Sequence, residues 1–285
     1  MTDLEIAKRA EVRKVILWKS FCYIILTVIG ITMIFPFLWM LSTSLKEPGA
    51  VFTFPPEWIP RPSIWRNYAD AWHAVPFGRF YVNSIFVSVT RTFGVLLTSS
   101  LAAYAFSRLE FPGRDKIFFL YLATMMVPGA VTMIPNFILM RHIGWVDTYQ
   151  ALIIPGIFTA WGTFMLRQFF MTLPTDLEDA ARIDGCSKMG IYRHVILPLA
   201  KPALATLGIF TFIGVWNDFM WPLIIINTME KKTLPIGLAS FQGLYTTDWT
   251  LLMAASIIVM VPTLIVFIVG QRFFVEGIKL SGVKG

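Results

Sequence analysis

The sequence predicts an all-α protein that crosses a membrane several times, and three observations carry that expectation. Of its 285 residues, 56% are hydrophobic and 14% charged, whereas a soluble globular domain carries about 25% charged residues. The apolar residues are gathered into long runs, which argues against a water-soluble core. Basic residues are distributed unevenly among the segments between those runs.

A bilayer core of about 30 Å requires roughly 20 mostly apolar residues in a helix. Six stretches meet that length: residues 21–41, 84–106, 117–140, 149–170, 202–226 and 251–270. The first follows a basic segment, as a signal peptide's core does, but such a core spans only about 7–15 residues. Here the run continues to Leu41 and passes into Ser42-Thr43-Ser44-Leu45-Lys46, so it reads as an uncleaved span. Pro128 and Pro135 interrupt the third stretch and Pro155 the fourth. Kinks are expected there, because neighbouring helices can satisfy the freed carbonyls. The chain is thereby organised as an N-terminal segment 1–20, a first span 21–41, a long loop 42–83, a five-helix core 84–270 and a tail 271–285.

Charge placement sets the orientation. One set of segments holds Lys8, Arg9, Arg13, Lys14 and Lys19, then Arg108, Arg114 and Lys116. The same side takes Arg167, Arg182, Lys188, Arg193 and Lys201, and finally Arg272, Lys279 and Lys284. The other side holds Lys46, Arg61, Arg66, Arg79, Arg141, Lys231 and Lys232, while Arg91 alone falls inside a span. Basic loops stay in the cytoplasm, so both termini are expected there. The net charge of +7 is accounted for by topology and requires no nucleic-acid partner. The long loop 42–83 contains Phe54-Pro55-Pro56-Glu57-Trp58 and further aromatics. Trp and Tyr favour the membrane–water interface, and the loop is open to two readings, a folded cap or a contact for a partner. Cys22 and Cys186 are far apart with no CxxC, and His73, His142 and His194 are isolated, so neither disulfide nor metal site is expected.

Between the fourth and fifth spans, residues 172–201 form a polar loop on the basic side. Thr175 and Glu178 have the S/T-x-x-E spacing of a capping box, which predicts a helix starting at Thr175. Ala180 and Ala181 extend it with good propensity and little bulk. Gly185 is placed to stop it in a left-handed conformation, Ser187 can cap a second helix, and Pro198 limits that one. Two short helices meeting at a glycine follow. On spacing alone, Glu178 does no more than close its own capping box and Gly185 no more than turn the chain.

The complete string adds to that reading. Glu178-x-Ala180-Ala181-x-x-Asp184-Gly185, followed by Ile196-Leu197-Pro198, resembles the EAA loop of binding-protein-dependent ABC importers. The likeness extends through Asn83-Ser84, Tyr104-Ala-Phe-Ser-Arg108, Phe111-Pro-Gly-Arg114, Trp216-Asn217-Asp218, Trp221-Pro222-Leu223 and the ending from Gly277 to Gly285. Together these resemble the shorter of the two permeases in maltose/oligosaccharide-type sugar importers. Asp179 departs from the pattern, where the family commonly has Ala or Glu.

The resemblance implies that the helix bearing Glu178 docks into a cleft on a cytoplasmic ATPase subunit. Glu178 would face a basic group there, Ala180 and Ala181 would allow close approach, and Asp184-Gly185 would set the bend. A lever of this kind shifts populations only if ATP binding distinguishes two permease states. The chain has no GxxxxGK[ST] motif, so ATP and magnesium belong on a separate pair of ATPase subunits, and this chain is expected to be a non-enzyme without a cofactor. The resemblance further implies a second homologous permease, an extracytoplasmic solute-binding protein, and the cytoplasmic membrane of a bacterium or archaeon.

Within the fifth stretch, Trp216, Asn217, Asp218 and Trp221 place polar and aromatic groups at membrane depth. An acid there costs about 2.5–3.5 kcal/mol and is expected to face the bundle interior. Lining of a solute pathway and interhelical packing are both open for these four, and Arg91 is read as structural pairing or snorkelling. The resemblance gives the loop 228–249 a role at the binding protein and the tail a contact at the ATPase. A glycerol-phosphate cargo for the same importer class, and an ion-coupled secondary transporter, are the competing readings. The second would require internal repeats and a relay of buried titratable groups, which the sequence does not display.

Overall fold

A computed structural model describes residues 3–243 and 247–282, with side chains for residue 11 and for 13–243 and 247–272. Helices α1 (Asp3–Ser44) and α2 (Arg66–Ala74) are followed by α3 (Phe77–Arg108), α4 (Arg114–Ala123), α5 (Gly129–His142), α6 (Tyr149–Ile153) and α7 (Ala160–Thr172). Next come α8 (Asp176–Ile183), α9 (Lys188–Ile191), a π-turn (Tyr192–Ile196), α10 (Leu197–Leu199) and α11 (Lys201–Trp216). The chain closes with α12 (Met220–Ile225), α13 (Leu234–Ala239) and α14 (Trp249–Gly282). The tail is thus helical as far as Gly282, and residues 283–285 lie outside the described residues.

Among the described residues four stretches are long and apolar enough to cross a membrane: Arg13–Ser44, Phe77–Arg108, Tyr149–Thr172 and Trp249–Arg272. Two further pairs qualify only as bent spans, Arg114–Met126 with Gly129–His142 at 99° and Lys188–Leu199 with Lys201–Trp216 at 76°. The 99° bend falls at Pro128, which lacks an amide hydrogen and restricts the residue before it. Pro155 opens a 3-10 turn, Ile154–Ile157, between α6 and α7. Pro135, by contrast, sits inside an unbroken α5, so only two of the three prolines act as expected. The fifth stretch departs from the sequence reading. It stops at Trp216 and resumes at Met220, breaking the expected helix at Asn217, Asp218 and Phe219.

Two compact units divide the chain, residues 1–71 with 241–257, and residues 72–240 with 258–285. In the first, the segment after α1 folds back on the end of that helix. Asn67 Nδ2 donates to the carbonyls of Ser44 (2.9 Å) and Lys46 (2.8 Å), and the Ser44 and Tyr68 hydroxyls lie 2.9 Å apart. Lys46 Nζ stands 4.5 Å over the Trp39 ring, and Trp58 meets Trp39 edge-on. The loop's residues up to Ala71 are thus folded within this unit, which leaves the partner-contact reading untouched.

In the second unit, α3 packs along both α7 and α11. Gly162 on α7 makes this close approach possible, since a Cβ there would lie 2.7 Å from Ser99 Oγ and 2.8 Å from Thr159 Cγ2. One core joins these helices to the loop: Tyr104, Leu166, Phe170, Ile191, Tyr192, Ile196 and Leu207 are all buried in it. A second cluster, with Val87, Met140, Leu152 and Ile225, fills the opposite part of the unit.

Candidate functional site

The predicted two-helix loop forms. Helix α8 begins at Asp176 and ends in a Schellman turn, in which Gly185 N–H reaches the Arg182 carbonyl (3.1 Å) and Cys186 N–H the Ala181 carbonyl (2.9 Å). Gly185 has φ +84°, where a side chain would be strained. Ser187 Oγ accepts from Gly190 N–H at 3.1 Å and caps α9 as expected. Ala181 and Cys186 turn toward the core, while Ala180, Asp184 and Gly185 are exposed.

The capping box does not form. Thr175 makes no side-chain cap bond, and the Glu178 carboxylate is instead directed at Arg108, the last residue of α3. Arg108 Nε lies 2.8 Å from Glu178 Oε1, with both side chains more than nine-tenths buried. The two atoms are in ionic contact without the alignment of a hydrogen bond. A full charge on a guanidinium is a stronger attraction for a carboxylate than a backbone amide. The same Arg108 donates to the carbonyls of Phe170 and Leu173 (2.7 Å) at the end of α7. Arg167 of α7 reciprocates, donating to the Phe106 carbonyl of α3 at 3.1 Å and lying over the Phe118 ring. Each arginine thus bonds carbonyls at the other helix's C-terminal end, where the helix dipole also favours a cation. Two further bonds fasten the loop to α3. Tyr104 Oη donates to the Lys188 carbonyl at 2.9 Å, and the Ser100 and Tyr192 hydroxyls are 2.7 Å apart.

The four aromatic and polar residues of the fifth stretch separate. Trp216 is buried, and its indole N–H donates to the Val259 carbonyl at 3.0 Å. Trp221 donates to the Ala151 carbonyl at 2.9 Å. Asn217 is exposed and bonds back to the Ile213 carbonyl of its own helix. Asp218 lies 3.6 Å from Arg91 Nη1, which gives Arg91 the pairing role expected of it. The guanidinium packs on the 3-10 turn at Gly156, where a Cβ would come within 2.0 Å of Nε. In front of Arg91 opens a pocket of about 240 Å³ lined also by Thr159, Trp161, Phe210, Thr211 and Gly214. Trp161 and Phe210 meet edge-on across it at 6.2 Å. Neither ring was singled out by the sequence, where each is one aromatic among many in an apolar run.

At the other end of this unit, Asn83 and Ser84 are buried within α3, which starts seven residues earlier than expected. Asn83 Nδ2 donates to the carbonyls of Glu230 (2.8 Å) and Lys232 (2.9 Å), and Tyr149 Oη donates to Asn83 Oδ1 at 2.7 Å. Leu234 N–H donates to Ser84 Oγ at 2.8 Å. Asp147, at φ 62°, accepts from the Asn227 and Thr228 amides, the Thr228 hydroxyl and Lys231 Nζ. Partial burial alone would raise its pKa, but these donors outweigh it and hold the carboxyl well below the usual carboxylate range. Among the described residues no group of three or more His, Cys, Asp or Glu side chains could hold a metal ion, and both described cysteines are free.

Long apolar helices, some broken at membrane depth, with a bent polar loop fastened to one end, define a multi-pass membrane transport subunit. The chain belongs to the binding-protein-dependent transport system inner membrane component family, whose model matches residues 19–279. It is 36% identical over 244 residues to the arabinooligosaccharides transport system permease protein AraQ of Halalkalibacterium halodurans, covering 86% of each chain. It is 35% identical over 266 residues to the sn-glycerol-3-phosphate transport system permease protein UgpE of Yersinia pestis, covering 90% of this chain and 95% of that one. The sulfoquinovosyl glycerol transport system permease protein SmoH of Agrobacterium fabrum is 33% identical, with 94% of both chains covered. Among solved structures, a chain of a bacterial ABC transporter involved in the import of the acidic polysaccharide alginate superposes with a TM-score of 0.83. That match has 26% identity and covers 90% of this chain and 96% of that chain.

Proposed function

We propose that this chain is one of two permeases in an inner-membrane importer for a carbohydrate or a related polyhydroxylated solute. A separate pair of ATPase subunits supplies the energy, and an extracytoplasmic binding protein delivers the solute. The observation that carries the coupling role is the α8–α9 knuckle, bent at Gly185 and joined to α3 by Arg108–Glu178, Tyr104–Lys188 and Ser100–Tyr192. Residues 172–201 face the cytoplasm with both termini, as the placement of basic residues requires. The exposed side chains and backbone at Ala180, Asp184 and Gly185 face the ATPase, while Glu178 holds the knuckle's shape from behind.

The cargo reading rests on the pocket beside Arg91. Two threonines and an aromatic pair in a concave site suit a solute with hydroxyl groups and apolar ring faces. Arg91 is balanced by Asp218, which favours an uncharged sugar over a phosphate ester.

Glu178→Lys and Gly185→Asp test the coupling role. Each is expected to abolish solute uptake in cells while leaving the chain in the membrane, with less ATPase subunit co-purifying. Normal uptake by both variants would refute it.

A further inference from the structure

We infer that Arg108 is the positioning residue of the coupling loop, an internal anchor that makes α8, the end of α3 and the end of α7 move as one body. Three observations converge on it. Its Nε meets the Glu178 carboxylate at 2.8 Å in a site closed to solvent, so this carboxylate has a partner within the chain. Its Nη2 holds the Phe170 and Leu173 carbonyls, which end α7 immediately before the loop. It is itself the last residue of α3, the helix against which α7 and α11 pack. One planar fork therefore touches all three elements, and only arginine presents enough donors in fixed geometry to do so. The other polar links, Tyr104 to Lys188 and Ser100 to Tyr192, fasten α9 and the π-turn, so Arg108 is the described polar tie from α8 to α3, beside the apolar packing of Ala181 on the core. Without the guanidinium, α8 would pivot about its Schellman turn, and a displacement applied to it would be absorbed locally.

The transmission role rests on the knuckle being the ATPase contact, whereas the anchoring itself does not, and the two can be tested apart. The importer would be purified with its partner subunits after Cys22→Ser and Cys186→Ala, with spin labels on cysteines replacing Asp176, at the start of α8, and Phe93. Both labelled positions are exposed. Double electron–electron resonance then reads the distance from α8 to mid-α3. The parent is expected to give one narrow distribution, unchanged by MgATP. Arg108→Gln should widen it at least twofold, Glu178→Gln should widen it too, and the double variant should be no wider than Arg108→Gln alone, since Glu178 acts through Arg108 while Arg108 also holds the Phe170 and Leu173 carbonyls. Arg108→Lys, which keeps the charge and loses the fork, should also broaden it and serves if the glutamine variant does not accumulate. A distribution as narrow as the parent's in the Arg108 variant, or widths that add in the double variant, would overturn the inference. Failure of the ATPase subunits to co-purify with the parent would count against the coupling reading alone.

Discussion

Both ends of the second unit fasten a loop to the helices through an ionised side chain, but they do so in opposite ways. At the knuckle, Arg108 and Glu178 are withdrawn from solvent and the arginine spans three elements. At the far end, Asp147 remains partly open and gathers donors from a single short segment, residues 227–231. Buried charge pairs are costly to assemble and more costly to break, whereas exposed ones contribute little. The difference suits a rigid tie between three elements at one end and a loop held in register at the other.

The comparison can be broken most directly at Glu178. Replacing it with Leu leaves Arg108 charged and unpaired in a closed site, which typically costs about 3–5 kcal/mol. Limited proteolysis of the purified importer should then cut within residues 172–201 much faster than in the parent. Asn83→Ala comes next. It strands two part-buried carbonyls and the Tyr149 hydroxyl, with a cost of up to about 1–3 kcal/mol for each of these groups that water does not reach. Cleavage near residues 228–234 should rise, with the knuckle unaffected.

Acid provides a gentler probe of the Asp147 end. Because the folded pKa of Asp147 is depressed, its stabilising effect is complete above the ordinary carboxylate value of about 4 and fades as pH falls below it. Protection of the 227–231 segment in hydrogen exchange should therefore weaken below that pH in the parent and be independent of it in Asp147→Asn. The smallest effect is expected at Thr175→Ala, which removes a hydroxyl that caps nothing. Uptake and thermal stability should stay within error of the parent, and a loss near 1 kcal/mol, typical of a real cap, would show that the box forms after all.

That last residue marks where sequence reasoning reaches its limit. Hydropathy located the long helices because lipid contact requires continuous apolar surface over a fixed length, and Pro128 and Pro155 located two breaks because each removes a backbone donor. Gly185 was legible for a similar reason, since a left-handed turn has few tolerant residues. Thr175 and Glu178 had the right spacing for a cap, yet spacing is blind to a competitor seventy residues upstream. Arg108 could be noticed only as part of a familiar string. The break at Asn217–Phe219 carries neither glycine nor proline. Its local cause stands four residues on, since Pro222 has no amide hydrogen for the Asp218 carbonyl and crowds it. The opened turn is held by Arg91 on Asp218 and by the Ala151 carbonyl on Trp221. Trp161 and Phe210 were invisible because an aromatic that lines a cavity and one that meets lipid look alike in a list of residues.

The Schellman turn has one more consequence. It satisfies the backbone amides at the apex from within the chain, so a neighbour approaching the tip meets mostly side chains, chief among them Ile183, Met189 and Leu177, exposed by 87%, 61% and 45%. Apolar contact is indifferent to angle, whereas a hydrogen bond weakens steeply when bent. An apolar tip of this kind can turn against a partner surface without breaking and remaking directional bonds, as a ball joint does and a weld cannot.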